Sequence, residues 1–423
     1  MRKILCLIFA GLLIPALVIA QKPRITMTTD REVGSTIYLR FEADPADIDN
    51  IVIHGANREA NGGYILTSQT VVIEGKVKRL SCLFCGLTSL EVSQNQELTY
   101  LECNDNELTT LDVSENTALE FLWCDNNQLN RLDVSKNPNL TTLSCSYNAI
   151  KTLDVLKNIH LMNLLCSDTR IKNLNLSKNS QLGYLKCSNN QLMTLNVSKN
   201  PNLQVLLCQD NTLKKIDVRK NVSLNILNCH DNKLTAINLS GNINLVTLDC
   251  GENPLKIMDV SKNKNLKELM CKNINLSKLD LSSNESIVNL DCSENRLTDL
   301  DLSNLSQLNS LNCSSNHLTE LSVSQNDLIR YIGLYGNEFS ACEIDNLFRQ
   351  LPVQVFGSGR IILKYGDVSL PGADGCREYL AAEKNWQALS MFLEECEDED
   401  HDDHHFHDIP QEINNAGNYV CNE

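Results

Sequence analysis

Aromatic residues make up only 5% of this 423-residue chain, and it has two tryptophans. That scarcity fits a core of thin leucine layers with little room for large rings, and it makes any clustered aromatics informative. Long apolar runs are also missing: beyond residue 20 no stretch reaches the roughly 18 apolar residues needed to span a bilayer. Nine acids fall between Glu394 and Asp408, a stretch with no Lys or Arg, so the rest of the chain is only mildly acidic. Nucleic acid is disfavoured as a partner, because phosphate binding needs clustered Lys and Arg. There is no G-x-S-x-G elbow, no H-E-x-x-H and no phosphate loop, and His160, His230 and His317 are scattered without a nucleophile beside them. The sequence therefore predicts neither an enzyme nor a cofactor.

What the chain does have is cysteine in a fixed place. Cys82, Cys103, Cys124, Cys145, Cys166, Cys187, Cys208, Cys229, Cys250, Cys271, Cys292 and Cys313 follow one another every 21 residues. Such a period identifies a stack of near-identical coils. One coil reads Leu98-x-x-Leu101-x-Cys103-x-x-Asn106-x-Leu108-x-x-Leu111-Asp112-Val113-Ser114-x-Asn116, and a thirteenth carries Leu334 at the ladder position. In Leu101-x-Cys103 the alternation turns both side chains inward, as in a strand buried on one side. Asn106 and its equivalents are placed to bond backbone groups at the bend. Ser114 and Asn116 suit a local side-chain to backbone turn. Little room remains for a helix, so the outer side is expected to be extended or 3₁₀. Thr169, Ile274 and Leu305 replace Asn in three coils, where looser bends are expected.

Cysteine is a small hydrophobe that tolerates burial. Stacked Cβ vectors point the same way, which disfavours the disulfide torsion, so the ladder is predicted to hold reduced thiols. A row of thiols cannot surround a metal tetrahedrally. Cys85, close to Cys82, is open to a disulfide or a free thiol.

The two ends differ from the coils. Residues 1–20 read as a secretory signal peptide, with Arg2 and Lys3 ahead of an apolar run and a Val18-Ile19-Ala20 ending. Residues 21–76 carry short β-branched runs, the pattern of an antiparallel β cap. The solenoid spans 77–339. A C-terminal cap is expected over 340–392, with a helix from Cys342 to Leu351, a strand at Arg360–Lys364 and a second helix ending near Trp386. Cys342 and Cys376 head the two helices, and a bridge between them is expected in an exported protein. Cys396 and Cys421 pair or stay free within the acidic, His-rich tail 393–423. His401, His404, His405 and His407 there suit either loose metal binding or a solvated segment.

With its Cys-bearing repeats, Leu-Asp-Val-Ser-x-Asn turns and Lys384-Asn385-Trp386 ending, the chain resembles the internalin-J-like leucine-rich-repeat proteins of the Bacteroidetes. The resemblance implies a mostly β, α/β leucine-rich-repeat solenoid with a parallel sheet on its concave face. It also implies an exported or surface adhesin that binds a protein of a host or neighbouring bacterium, with no catalytic residues. Many such proteins end in a β-sandwich sorting domain; the roughly 30 residues after the cap are too few for one. A carbohydrate- or envelope-binding scaffold is the alternative.

Outward positions on the strands follow from the ladder. Tyr100, Phe121 and Trp123 gather near one end, and Leu165, Tyr184, Val205, Leu207 and Ile226 in the middle. They are expected to form an exposed apolar strip that binds the partner, or else to pack on one another across strands.

Overall fold

The computed structural model describes residues 22–391. Residues 1–20, expected to be a signal peptide, and the tail from residue 393, with its histidines, Cys396 and Cys421, lie outside the described residues. The mostly β leucine-rich-repeat solenoid with 21-residue coils is what forms. Three-residue strands recur from Arg79–Ser81 to Tyr331–Gly333 and pair in parallel without a register slip. Tyr100 lies opposite Phe121, Leu101 opposite Leu122 and Glu102 opposite Trp123, and each later pair repeats this step. Leu101, Cys103, Leu108 and Val113 are wholly inaccessible, and their counterparts are buried coil after coil.

Two columns of asparagine hold the coils together. Asn106 accepts from the amides of Cys85 (3.1 Å) and Leu87 (2.9 Å) through Oδ1. Its Nδ2 donates to the carbonyls of Cys82, Cys103 and Asn104. Backbone groups that the bend strips of ladder partners are thus satisfied, and one coil is tied to the last. The second column behaves otherwise than a local turn. Asn116 Nδ2 reaches back to Val92 O (3.0 Å) and Asn95 O (2.8 Å) of the preceding coil. Its Oδ1 has no hydrogen-bond partner, a feature shared by its counterparts from Asn137 to Asn284. The local turn is made instead by Asp112, whose Oδ1 accepts from Ser114 N at 2.9 Å. Ahead of each bend one residue is left-handed, as at Asp105 (φ 56°), Asn126 (φ 49°) and Tyr147 (φ 53°). Asp and Asn tolerate that region better than other non-glycine residues, which accounts for their prevalence there.

Of the three substituted coils, only one is reshaped. Where Ile274 replaces Asn, Leu255 N turns to Asn253 O (2.9 Å), and Lys256 and Asn275 adopt further left-handed angles. Thr169 keeps the bend by donating to Cys166 O and Asn190 Oδ1. At Leu305 the turn column continues through the backbone, since Asn326 Nδ2 still reaches Leu305 O at 2.8 Å.

Arg24–Thr29 pairs antiparallel with both Thr70–Glu74 and Leu87–Glu91, so the N-terminal sheet grows out of the outer side of the first coil. Arg40–Glu42 covers the first edge of the parallel sheet by pairing with Arg79–Ser81. At the other end the helix Ala341–Gln350, capped by Ser340, buries Ile344, Leu347 and Phe348. Gly359–Tyr365 then adds to Tyr331–Gly333 in parallel.

Two expectations for this end fail. The second helix is only Tyr379–Ala382; Asn385 turns left-handed (φ 62°) and Trp386 opens a strand, Trp386–Met391, paired with Gly359–Tyr365. The Cys342–Cys376 bridge does not form. Cys342 is exposed on the helix face opposite its buried stripe, and Cys376 Sγ folds onto its own turn to donate to Ala373 O at 3.1 Å. Cys82 and Cys85 are likewise free and buried.

Candidate functional site

The outward face of the parallel sheet carries two unlike patches. Near the first coils, strand pairing places Tyr100 between Arg79 and Phe121. Tyr100 lies 6.0 Å from the Phe121 ring and 6.2 Å from the Trp123 ring, both tilted. The Arg79 guanidinium sits 4.1 Å above the Tyr100 ring. All four side chains are half-buried and keep a face toward solvent. Tilted ring pairs add about 0.5–1.5 kcal/mol beyond their burial, so the cluster is preorganised. The Trp123 Nε1 atom is covered yet donates to nothing.

The middle patch does not stand as an exposed strip. Val205 and Leu207 share one strand, Ile226 lies opposite Val205 on the next and Tyr184 opposite it on the previous one. Strands about 4.8 Å apart let these side chains close over one another. Val205, Leu207 and Ile226 are consequently only 8%, 7% and 4% exposed, in a cluster separate from the main core that Tyr184 flanks. Leu165 stays half-buried outside this cluster, beside Ser144 and Lys186.

Past the aliphatic patch the same face becomes ionic. His230 Nδ1 lies 3.6 Å from Asp249. This pairing, with Asp210 and Glu252 nearby, raises the His230 pKa despite partial burial. Lys272 bridges Glu252 (3.5 Å) and Glu294 (3.3 Å). Neither feature was picked out from the sequence, although both lie in columns that the 21-residue period defines. Arg79 lies opposite Tyr100 in the same outward column, but its ring contact depends on side-chain direction, which the repeat period does not reveal.

The ladder thiols are unsuited to chemistry. Burial pushes Cys187 and Cys313 up to about 12, and Cys85, beside the row, up to about 11. The rest of the row is raised by the same cause. They stay protonated, whereas the thiolate is the nucleophile and metal ligand. Among the described residues the one cluster of acids able to hold a metal is Asp44, Asp47 and Glu97. Lys78 and Lys76 already pair with Asp44 and Glu97 at 2.7 Å. No helix of the described residues is long and apolar enough to cross a membrane.

No protein-family model matches the chain, and no curated protein does. Solved structures do. The functional domain of InlJ from Listeria monocytogenes, described as including a cysteine ladder, is 29% identical with a TM-score of 0.59, covering 72% of this chain and 78% of that one. An internalin, InlF, of the same organism is 20% identical with a TM-score of 0.60 (65% and 85% covered). A leucine-rich-repeat protein of Leptospira interrogans is 24% identical with a TM-score of 0.57 (67% and 85% covered). The chain is thus a leucine-rich-repeat solenoid similar to internalin structures, one of which also carries a cysteine ladder.

Proposed function

We propose that the chain is an exported protein-binding module, an attachment factor that holds a surface protein of a host or neighbouring bacterium against its parallel sheet. The observation that carries this reading is the half-buried cluster of Arg79, Tyr100, Phe121 and Trp123 on the open face of that sheet. Trp, Tyr and Arg dominate interface hot spots, and the two aromatics bury large area at low entropic cost. A partner acceptor that drew out the unpaired Trp123 N–H would recover the cost of leaving it buried, about 1–3 kcal/mol. The fold supports the same reading through its similarity to internalin structures.

Binding of the labelled full chain to whole cells tests it. The expected result is saturable binding that is lost when the cells are shaved with protease and lost again with Trp123→Ala. Loss on periodate oxidation of surface glycans, with protease without effect, would replace the protein partner with a carbohydrate one.

A further inference from the structure

The clearest unassigned feature lies away from the sheet. Lys136, Lys157, Lys178, Lys199 and Lys220 occupy one position in five successive coils, and after Gly241 the row resumes at Lys262. All six lysines are exposed. Each is followed by a buried asparagine of the turn column, whose Nδ2 bonds to the same asparagine's carbonyl one coil earlier, as Asn158 does to Asn137 O at 2.9 Å. These bonds put the lysines in register, about 4.8 Å apart, in a ridge about 30 Å long. A linear reading that sought neighbouring basic residues could not find this clustering.

Two residues beyond this position runs a second column that is apolar in five of the seven coils from Lys136 to Lys262: Pro138, Ile159, Pro201, Val222 and, after Gly241, Ile243, with Ser180 and Lys264 in the other two. Ile159, Val222 and Ile243 are 48%, 51% and 56% exposed, unusual for aliphatic side chains on a repeated surface. The ridge is stiff, because Asn244 Nδ2 bonds Val222 O and Asn265 Nδ2 bonds Ile243 O, both at 3.0 Å. Neutralisation is partial. Asp133, Asp154, Asp217 and Asp259 stand three residues before their lysines, but each turns Oδ1 back to a backbone amide. In the coils of Lys178 and Lys199 that place is held by neutral Asn175 and Asn196. Among the described residues none of the six lysines comes within salt-bridge distance of a carboxylate, although Lys136, Lys220 and Lys262 feel the charge of Asp133, Asp217 and Asp259.

We propose that this ridge is a docking surface for the phosphate headgroups of an anionic lipid bilayer. A straight row of ammonium groups beside a straight row of aliphatic side chains matches a plane that is charged outside and apolar beneath. A nucleic acid fits less well, because the row offers no aromatic side chain on which a base can stack. A soluble polyanion would make no use of the apolar column.

Co-sedimentation of the full chain with vesicles tests the proposal, comparing phosphatidylglycerol mixed into phosphatidylcholine with phosphatidylcholine alone. Binding is expected only to the anionic vesicles and is expected to weaken as salt is raised. Replacing Lys157, Lys178, Lys199 and Lys220 by Ala should lower the partition coefficient about a hundredfold, each Lys near a charged surface contributing severalfold. The triple substitution Ile159→Ser, Val222→Ser, Ile243→Ser should lower it about tenfold or more. Trp123→Ala should leave it unchanged. All the replaced ridge side chains are exposed, and unchanged thermal melting shows that each variant folds. Equal binding to both vesicle types, or undiminished binding by the lysine variant, would overturn the proposal. So would undiminished binding by the serine variant, which would make the ridge a site for soluble polyanions.

Discussion

The two apolar patches on the parallel sheet use the same positions of the same repeat and come out opposite in accessibility. Val205, Leu207 and Ile226 are short, branched and adjacent in both directions on the pleat, so they seal one another from water. Tyr100, Phe121 and Trp123 are flat and too large to interdigitate at strand spacing, so they tilt and keep a face open. Position in the coil decides which way a side chain points; its shape and its neighbours decide whether solvent still reaches it. Under the proposed function the aliphatic patch serves stability and the aromatic patch recognition.

The most demanding test of that division is the double variant Leu207→Ala, Ile226→Ala. Each truncation is expected to cost about 2 kcal/mol, the low end for a buried aliphatic side chain because the cluster has one side toward solvent. Urea denaturation should therefore show a loss of about 4 kcal/mol, twice that single-site cost, with cell binding intact in the folded protein. A stable variant that no longer binds would reverse the assignment of the two patches.

Trp123→Ala is the mirror experiment. A hot-spot aromatic is worth about 2 kcal/mol or more of affinity, roughly a thirtyfold rise in Kd. The same change is expected to alter stability by no more than about 1 kcal/mol, since the ring is half-exposed and its N–H is unpaired. Arg79→Ala should follow with a smaller loss, about 0.5–1 kcal/mol of affinity, the worth of an exposed cation–π contact that holds Tyr100 in place. If Arg79→Ala weakened binding more than Trp123→Ala, charge rather than aromatic surface would carry recognition.

These contrasts mark how far the sequence could be read. The 21-residue period gave the coil, the inward Leu-x-Cys register and the bonding role of Asn106, because each depends only on neighbours inside one repeat or the next. For Val205, Leu207 and Ile226 the cross-strand packing that the sequence left open is what forms, because pointing outward does not by itself mean being exposed. The role of Asn116 was misjudged as local because its partners, Val92 O and Asn95 O, lie a full coil back. The prevalence of Asp and Asn at positions such as Asp105 and Asn126 was a visible signal of a left-handed residue that went unused. Cys342 and Cys376 show the remaining gap: only Cys342 lies in a helix, where rotation about the axis turns it to solvent, while Cys376 closes the turn Ala373–Gly375.

The smallest expected effect sharpens the stability side of the comparison. His230 lies two residues past the strand Ile226–Asn228, and its pairing with Asp249 raises its pKa above the unfolded value. A histidine bound more tightly as a cation in the folded state contributes stability that is fully present below about pH 6.5, its unfolded pKa. That contribution is lost as pH rises through the raised folded value. The melting temperature of the wild type relative to His230→Gln should therefore be highest at about pH 5.5 and fall as pH climbs to about 8. A difference that stayed flat, or grew with pH, would mean that burial outweighs Asp249 and that the ionic end of the sheet gives the aliphatic patch no electrostatic support.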